Sequence, residues 1–256
     1  MIEIKDKKDC CGCWACENAC PKHSITMMED EEGFRYPLVD KDTCIDCHLC
    51  EKVCPIIQVQ PEEEKPQWGN LLQNKDPKVL AESTSGGAFT AIAKYVLRQD
   101  GVVFGAALNE KNEARHIYVE SEDELWRFRN SKYVQSLIGE TFKQAKEFLK
   151  QGRLVLFSGT PCQMEGLVSY LRKPYDNLIV VDVVCRAVPS PKVLRKYLEY
   201  QSLTYGDDLK HLKFRDKKFY GYKCSNMSFD SKNGAYHAGI DTDPWLRSFF
   251  SGINVR

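Results

Sequence analysis

The cysteines near the start of the chain repeat one spacing twice. Each copy reads Cys-x2-Cys-x2-Cys-x3-Cys-Pro, with the same number of intervening residues. The eight positions are Cys10, Cys13, Cys16, Cys20, Cys44, Cys47, Cys50 and Cys54. Bacterial ferredoxins use this spacing to ligate two 4Fe-4S clusters through thiolates. The chemistry predicted for this part of the chain is therefore the transfer of single electrons.

The spacing also predicts which cysteine serves which cluster. In this pattern the fourth cysteine of each copy ligates the cluster of the other copy. The predicted ligands of one site, which we call cluster I, are Cys10, Cys13, Cys16 and Cys54. Those of the other, cluster II, are Cys44, Cys47, Cys50 and Cys20. Small residues in the first copy (Gly12, Ala15 and Ala19) let the chain curl so that backbone N–H groups can point at the cluster sulfurs.

Two other uses of cysteine fit this pattern less well. Zinc ribbons also contain Cys-x2-Cys pairs, and disulfides can use any even number of cysteines. Neither explains the third cysteine of each run, the x3 step and the following proline, all of which occur twice. The repeated pattern therefore favours iron–sulfur clusters.

Composition and charge exclude several classes of protein. The chain has 256 residues, with 36 Lys and Arg against 36 Asp and Glu, and the basic residues form no arm or stripe for nucleic acid. No charged-then-apolar leader precedes Cys10, and the longest apolar run, 178–185, is interrupted by Asp182 and too short to span a bilayer. We expect a cytoplasmic protein in a reducing compartment, with no membrane span and no nucleic-acid partner.

Changes in composition divide the chain into three predicted segments. Residues 1–58 form a two-cluster 4Fe-4S ferredoxin domain, in which Ile25–Met28 and Phe34–Val39 pair as a hairpin. Residues 59–75 form a linker, because two prolines and three adjacent glutamates cannot build a core element. Residues 76–256 form a larger domain of alternating helices and strands.

The order of elements in the larger domain predicts its fold class. Predicted strands are 102–108, 116–120, 154–157, 178–184, 209–214, 223–229 and 235–240. Predicted helices are 88–99, 139–151, 161–172, 191–201 and 244–251, with a further short helix opening at 121–124. We expect an α/β domain with a mainly parallel or mixed sheet, preceded by a small α+β domain of the bacterial ferredoxin type.

Two polar stretches of the larger domain are candidate cofactor sites. Ser85, Gly86 and Gly87 lead into the first predicted helix, where free N–H groups and the helix dipole suit a phosphate. A plain capped helix explains the same residues, and the Rossmann fingerprint is absent. Lys132 and Gln135 lie in a polar loop, where a lysine beside a flavin could stabilise the reduced ring.

Two cysteines of the larger domain are candidate ligands. Thr160 caps a predicted helix, and Cys162 lies in its first turn, where a lowered pKa would make it a metal ligand or a redox thiol. Cys185 ends a buried strand, at the edge where α/β sheets place their sites. The two could ligate a third cluster, and inert burial is the alternative for each alone. Cys11 and Cys224 are predicted to be packed thiols.

Four motifs in this order resemble the coenzyme F420 hydrogenase/dehydrogenase beta subunit family, in its bacterial branch with an N-terminal two-cluster ferredoxin domain. They are Ser83–Ala88, Ser131–Ser136, Ser158–Gln163 and Val184–Ser190. The resemblance implies that residues 76–256 are a flavin-binding type of domain, usually with FAD, and that Cys162 and Cys185 help to hold a further 4Fe-4S cluster. Family members usually continue into another cysteine pair, so we expect this chain to be truncated at its C-terminus.

The resemblance and the cysteine pattern together predict an iron–sulfur flavoprotein oxidoreductase. It would pass electrons between 4Fe-4S clusters and a flavin that exchanges hydride with a small organic molecule or a deazaflavin-like coenzyme. Its expected protein partner is a ferredoxin-like electron donor or acceptor. The candidate cofactor-binding residues are Ser85, Gly86, Gly87, Lys132, Gln135 and Thr160. The alternatives are a non-catalytic electron-transfer subunit of a larger complex and a zinc-binding interaction module.

Overall fold

The computed structural model of the protein describes residues 1–58, 66–219, 221–253 and 255–256. The predicted linker, 59–75, lies partly outside these residues, and its described part, 66–75, contains no helix or strand. In the described part of the chain no helix is long and apolar enough to cross a membrane.

The cysteine-rich unit, residues 1–58, is built around one hairpin. Its elements are a 3-10 helix Lys7–Asp9, helix α1 (Ala15–Ala19), strand β1 (Ile25–Glu29), strand β2 (Arg35–Val39) and helix α2 (Leu49–Lys52). The two strands pair antiparallel, which confirms the predicted hairpin. The carboxylate of Asp30 accepts from the backbone N–H groups of Glu32 (3.1 Å) and Phe34 (3.0 Å), and Gly33 takes the positive φ of 90° that the turn requires.

The larger unit contains a mixed four-stranded sheet. Up to residue 205 its elements are α3 (Pro77–Glu82), α4 (Ala88–Leu97), β3 (Val102–Leu108), β4 (Ala114–Val119), a 3-10 helix Glu122–Phe128, α5 (Thr141–Lys150), β5 (Val155–Gly159), α6 (Pro161–Leu171), β6 (Leu178–Asp182) and α7 (Pro191–Tyr205). The strand order is β4-β3-β5-β6. β3, β5 and β6 are parallel and β4 is antiparallel, so the predicted mixed sheet is confirmed.

Both faces of the two central strands are covered. On one face, Phe104 of β3 and Phe157 of β5 pack in a core with α5 and α6. On the other face, Val103 and Leu156 pack against α4. Strands that are buried on both faces have continuous apolar sequences. β3 and β5 could therefore be predicted from the sequence, although apolar and polar residues do not alternate along them.

A second sheet follows in the C-terminal part of the larger unit. Its elements are β7 (Lys210–Lys213), β8 (Asn226–Ser231), β9 (Gly234–Gly239) and helix α8 (Pro244–Phe250). The three strands are antiparallel in the order β7-β8-β9. The buried carboxylate of Asp243 accepts from the hydroxyls of Tyr197 (2.7 Å) and Tyr236 (2.8 Å) and from Leu246 N (2.8 Å). One side chain therefore joins α7, β9 and α8, and burial raises its pKa.

The predicted elements are present, with differences at their ends. β6 stops at Asp182 and does not reach Val184, α7 continues to Tyr205, and the strand predicted at 223–229 lies at 226–231. The sequence missed α3, which is only six residues long. Its start signal was present, since Asp76 accepts from the backbone N–H groups of residues 78 and 79 and Pro77 follows it. A helix this short has no apolar periodicity to detect.

The cysteine-rich unit and the larger unit share one hydrophobic core. Trp14, Ile25 and Val53 of the first unit belong to the same buried cluster as Phe142 of α5 and Leu167 of α6. Helix α1 lies against α6 with no room for a side chain at Gly166. A Cβ atom placed there would lie 2.8 Å from Cys13 Cβ and 2.9 Å from Cys13 Sγ. The amide of Asn18 on α1 donates to Gly139 O at 2.8 Å, just before α5.

The hairpin turn of the cysteine-rich unit makes a second contact, at the start of α7. A Cβ atom on Gly33 would lie 2.2 Å from Lys192 Cβ. Lys192 Nζ donates to Glu31 O at 2.7 Å, and the hydroxyl of Ser190 donates to Glu32 O. Two separate contacts with α6 and α7 fix the orientation of the unit, because one contact alone would leave it free to rotate.

We predict that Gly166→Val destabilises the fold by about 1–3 kcal/mol, because the new side chain overlaps Cys13 and must push α1 away from α6. Glu165→Val is the matched control, since Glu165 is exposed on the same helix. Urea unfolding of the two variants measures the difference. Equal stability of the two variants would contradict the close packing of α1 on α6.

Candidate functional site

The four cysteines predicted for cluster I line one cavity of about 310 Å³, open solvent included, and Cys11 lines it as well. The four predicted ligands are Cys10, Cys13, Cys16 and Cys54. Its remaining walls are mainly apolar and include Ile2, Ile4, Met27 and Pro37. Cys13, Cys16 and Cys54 are buried. This cavity faces the larger unit, because Cys13 is the residue that packs on Gly166.

The four cysteines predicted for cluster II line another cavity of about 350 Å³. They are Cys20, Cys44, Cys47 and Cys50. This cavity lies at the surface, with Cys47 exposed and Ile45 on its rim 58% exposed. The crossing of the fourth cysteine follows from the order of the chain, because α1 delivers Cys20 toward the second run and α2 delivers Cys54 toward the first.

The backbone repeats its conformation in the two runs. Gly12 (φ 64°) and Trp14 (φ 70°) occupy the left-handed region in the first run, and Asp46 (φ 48°) and His48 (φ 60°) occupy it at the equivalent positions of the second. Alternation of this kind turns successive N–H groups toward one side and forms an anion-binding concavity. Only one of the four positions is glycine, so the strained conformation costs on the order of 1 kcal/mol at each of the others.

The polar groups around both cavities suit iron–sulfur clusters. Ile2 N donates to Cys50 Sγ at 3.2 Å, and Ser24 N donates to Cys20 Sγ at 3.3 Å, which are the N–H···S contacts that tune cluster potentials. Burial raises the pKa of Cys16 and of Cys50, so a bound cation is needed to hold these sulfurs as thiolates. In the described residues no three His, Cys, Asp or Glu converge on a point suited to one metal ion. The eight cysteine thiols and their repeated spacing are the donor set that two 4Fe-4S clusters use.

Cys162 and Cys185 lie at one edge of the central sheet. Gly159 at the end of β5 pairs with Asp182 at the end of β6, and Val183 N donates to Gly159 O at 3.0 Å. Each cysteine follows its strand end by three residues. The lowered pKa predicted for Cys162 is wrong: the neighbouring thiol of Cys11 and burial raise it. The hydroxyl of Thr160 lies 3.2 Å from Cys162 Sγ, and Thr160 begins α6 in a capping box, as predicted.

A buried polar network joins two of the motifs singled out in the sequence. His116 of β4 donates from Nε2 to Ser158 O (3.0 Å), which leaves Nδ1 to accept from the hydroxyl of Ser136 (3.2 Å). Gln163 donates to the Ser136 hydroxyl (3.0 Å), and its carbonyl oxygen accepts from Thr160 N (3.0 Å). Burial lowers the pKa of His116 to about 4, so the ring is neutral at pH 7. The network fixes the 131–136 loop to the start of α6.

A cleft of about 1880 Å³, open solvent included, lies at the same sheet edge, beyond the end of β3. Its floor and walls include Leu108 and Asn109 of the β3 end, together with Trp126, Arg127, Arg129, Asn130 and Lys132. Lys132 Nζ donates to Arg127 O (3.0 Å) and Arg129 O (2.9 Å), and burial lowers its pKa to about 7. Asn130 Oδ1 and Arg129 Nε are buried and have no hydrogen-bond partner in the described part of the chain.

Of the six cofactor-binding residues predicted from the sequence, only Lys132 lines this cleft. Residues 72–74 cover the Ser85–Gly87 turn: Asn74 N donates to Gly86 O at 2.7 Å, and a Cβ atom on Gly86 would lie 2.2 Å from Leu72 O. The turn is connected to the cleft through one hydrogen bond. Thr84, which directly precedes the turn, accepts at Oγ1 from the backbone N–H of Ser131 at 3.0 Å, and Ser131 lines the cleft.

Gln135 and Thr160 lie away from the cleft, on the side of the cysteine-rich unit. Gln135 is buried, and its Nε2 atom would be 2.7 Å from a Cβ atom on Gly12 in the first cysteine run. Its Oε1 atom has no partner in the described residues. Arg129 and Asn130 were not predicted as site residues, although both immediately precede the 131–136 motif. Neither belongs to a sequence pattern that would identify it as a ligand-binding residue.

Comparison with family models matches three parts of the chain. Residues 9–56 match the 4Fe-4S dicluster domain, so the first unit is an iron–sulfur domain. Residues 72–143 match the N-terminal part, and residues 152–243 the C-terminal part, of the coenzyme F420 hydrogenase/dehydrogenase beta subunit. No curated protein gives a match.

One solved structure with a similar chain is the xenon-derivatised F420-reducing NiFe hydrogenase complex from Methanosarcina barkeri. The two chains are 17% identical and superpose with a TM-score of 0.47. The match covers 67% of this chain and 60% of that chain. This chain therefore spans less than two thirds of the other chain's length.

We predict that His116 makes the fold weaker in acid. Its pKa is about 4 in the folded protein and near 6.5 when unfolded, so its contribution is complete above pH 6.5 and is lost as the pH falls toward 4. Between pH 7.5 and 5.0, wild type should lose roughly 2 kcal/mol more stability than His116→Gln. Urea unfolding at the two pH values measures this, with His237→Gln, an exposed histidine, as control. An equal pH dependence in wild type and His116→Gln would contradict a buried neutral ring.

Proposed function

The chain belongs to the coenzyme F420 hydrogenase/dehydrogenase beta subunit family, and from this we propose that it is an iron–sulfur flavoprotein oxidoreductase. It would exchange electrons with a protein partner and hydride with a small organic molecule or a deazaflavin-like coenzyme. The proposal rests on where the two cysteine-lined cavities and the cleft lie in the fold. The cluster I cavity lies against α6, the large cleft opens at the sheet edge from which α6 starts, and the cluster II cavity opens at the surface of the cysteine-rich unit.

We assign the two cysteine-lined cavities to 4Fe-4S clusters, which supply one-electron chemistry when bound. Cys10, Cys13, Cys16 and Cys54 would hold cluster I, and Cys44, Cys47, Cys50 and Cys20 cluster II. All twelve cysteines of the chain are free thiols in the structure, so the eight assigned here are available as ligands.

The surface of the cluster II cavity is the proposed docking point for a redox partner. Its rim contains Met1, Ile45 and His48, and Cys47 is exposed beside them. The terminal amine of Met1 pairs with Asp46 at 2.6 Å and Glu51 at 2.9 Å, so opposite charges partly neutralise each other there. An apolar patch with little net charge suits a brief contact with another electron carrier. The cluster I cavity faces the larger unit on one side, where Cys13 packs on Gly166 of α6.

The cleft at the end of β3 is the proposed site of FAD, which supplies hydride exchange when bound. The cleft is the largest of the described cavities, and its lining carries cations, carboxylates and unsatisfied polar atoms. Lys132 offers one remaining ammonium hydrogen, since the other two are used by the carbonyls of Arg127 and Arg129. The two hydrogen bonds fix the ammonium group of Lys132, whose pKa is about 7. A cation fixed at this point suits stabilisation of negative charge on a bound ring or phosphate.

A non-catalytic electron-transfer subunit is the second candidate. One observation favours it: five of the six residues predicted to bind the cofactor do not line the cleft. The two candidates differ in flavin content. An oxidoreductase of the proposed kind binds close to one FAD per chain in solution, whereas a pure carrier binds none and reduces no hydride acceptor.

We predict that Lys132→Met weakens FAD binding roughly ten-fold, the loss of one charge-assisted contact. In wild type, affinity should also fall as the pH rises from 6 to 8, because the ammonium loses its proton near pH 7. In Lys132→Met this pH dependence should disappear. Fluorescence titration of flavin-free protein with FAD measures both effects.

Lys78→Met is the matched control, because Lys78 also lines the cleft but is exposed at its edge. Its FAD affinity should stay within about two-fold of wild type, with the pH dependence intact. Wild-type protein that binds no FAD would leave the electron carrier as the function. Equal affinities and pH profiles in all three proteins would remove Lys132 from the site.

A further inference from the structure

We propose that Arg256 raises the reduction potential of cluster I by holding a positive charge against the first cysteine run. The inference rests on the proposed function, since it requires an iron–sulfur cluster in the cavity that Cys10, Cys13, Cys16 and Cys54 line. Arg256 lies outside both cysteine runs and outside the four motifs of the larger unit. Its role is to position charge and not to bind iron, because a guanidinium carries N–H donors and no acceptor.

The guanidinium of Arg256 lies against the backbone of the first cysteine run. Its Nη2 atom donates to Cys10 O, and its Nη1 atom donates to Arg35 O at 3.2 Å. A Cβ atom on Gly12 would lie 3.0 Å from Nη1. The ring of Tyr36 stacks on the guanidinium, with its centroid 4.2 Å from Cζ. The two carbonyl bonds and the aromatic face together fix the cation beside a cluster I ligand.

The backbone of the larger unit carries Arg256 to this position. Val188 N donates to Arg256 O at 2.9 Å, and Arg256 N donates to Val188 O at 3.0 Å. The next pair along, Pro189 and Val255, forms an antiparallel bridge, and Pro189 O accepts from Gln135 N at 3.0 Å. The main chain of Arg256 is therefore held by the larger unit, and its side chain crosses to the cysteine-rich unit. The charge beside cluster I depends on the docking of the two units.

Arg256 differs from the other cations near the first run, because it pairs with no carboxylate in the described residues. Lys7 pairs with Asp30 at 2.6 Å, and Arg35 lies 3.8 Å from Glu29. A cation that is paired in this way adds little net charge to its surroundings. The Nε atom of Arg256 is buried and has no partner in the same part of the chain, so its charge acts where water screens it least.

The cation beside cluster II is neutralised. The terminal amine of Met1 pairs with Asp46 at 2.6 Å and with Glu51 at 2.9 Å. Local charge is one of the factors that set the potential of an iron–sulfur cluster. A positive charge stabilises the reduced state, which is the more negative one, so Arg256 raises the potential of cluster I and leaves that of cluster II unaffected. This favours the reduced state on the side that faces the larger unit.

The experiment is a redox titration of the full chain after anaerobic cluster reconstitution, followed by low-temperature EPR. Arg256→Gln removes the charge and keeps an N–H donor. It should lower one midpoint potential by about 59 mV, which is a ten-fold change in a one-electron equilibrium constant. Arg256→Lys keeps the charge and should restore most of the wild-type value. Arg247→Gln is the matched control, because Arg247 is exposed on α8, and it should shift no potential.

A further variant identifies the cluster that shifts. Cys47 is assigned to cluster II, so the midpoint that Arg256→Gln lowers should persist in Cys47→Ser while another is changed or lost. Iron analysis accompanies each titration, because a variant without clusters gives no potential. Should Arg256→Gln fail to retain iron, Tyr36→Leu replaces it in the test. Tyr36→Leu removes the ring that supports the guanidinium and should lower the same midpoint by a smaller amount.

Four results would overturn the inference. They are equal midpoints in wild type and Arg256→Gln at equal iron content, an unchanged midpoint in Tyr36→Leu where that variant is needed, a shift in Arg256→Lys as large as in Arg256→Gln, and a shift of the midpoint that Cys47→Ser changes. Protein that holds iron but no flavin would replace the proposed oxidoreductase by the electron carrier and leave the role of Arg256 standing. Iron-free protein would overturn both.

Discussion

The close approach of the first cysteine run to α6 is the contact on which the rest of the structure depends. It is possible only because residue 166 is glycine, which lets Cys13 lie where a side chain would otherwise stand. The same contact buries the cluster I cavity, directs Cys11 toward Cys162 and joins two units into one core. A relay between two units needs a short distance and a fixed orientation, and this packing supplies both.

The duplicated cysteine run is the part of the protein that could be predicted from the sequence in most detail. Its spacing is set by local bond geometry, so eight positions and their division into two groups of four follow without knowledge of the fold. The same local logic identified β3 and β5, whose apolar runs are buried on both faces, and the capped start of α6. The α/β fold class was also accessible, because helices alternate with strands, although the alternation left a mainly parallel and a mixed sheet equally open.

What could not be predicted depends on contacts between distant parts of the chain. Cys11 belongs to no repeated spacing in the sequence. Its neighbour in the fold, Cys162, is 151 positions away, so only the folded structure shows that the two thiols are close together. The pKa of Cys162 was predicted to fall from its position in a helix, but a second thiol and burial oppose the helix and raise it. The Ser85–Gly87 turn was predicted as a phosphate site; the structure adds that Leu72 O approaches Gly86 too closely for a side chain there, a contact that no local pattern reveals.

We propose that the two cysteine-lined cavities hold two 4Fe-4S clusters side by side. The most direct test of this proposal is low-temperature EPR of anaerobically purified protein after reduction with dithionite. We expect a complex signal from two neighbouring 4Fe-4S clusters that interact magnetically, and Cys47→Ser should lose the features that come from this interaction. Colourless protein that contains zinc or no metal, and gives no signal on reduction, would contradict it.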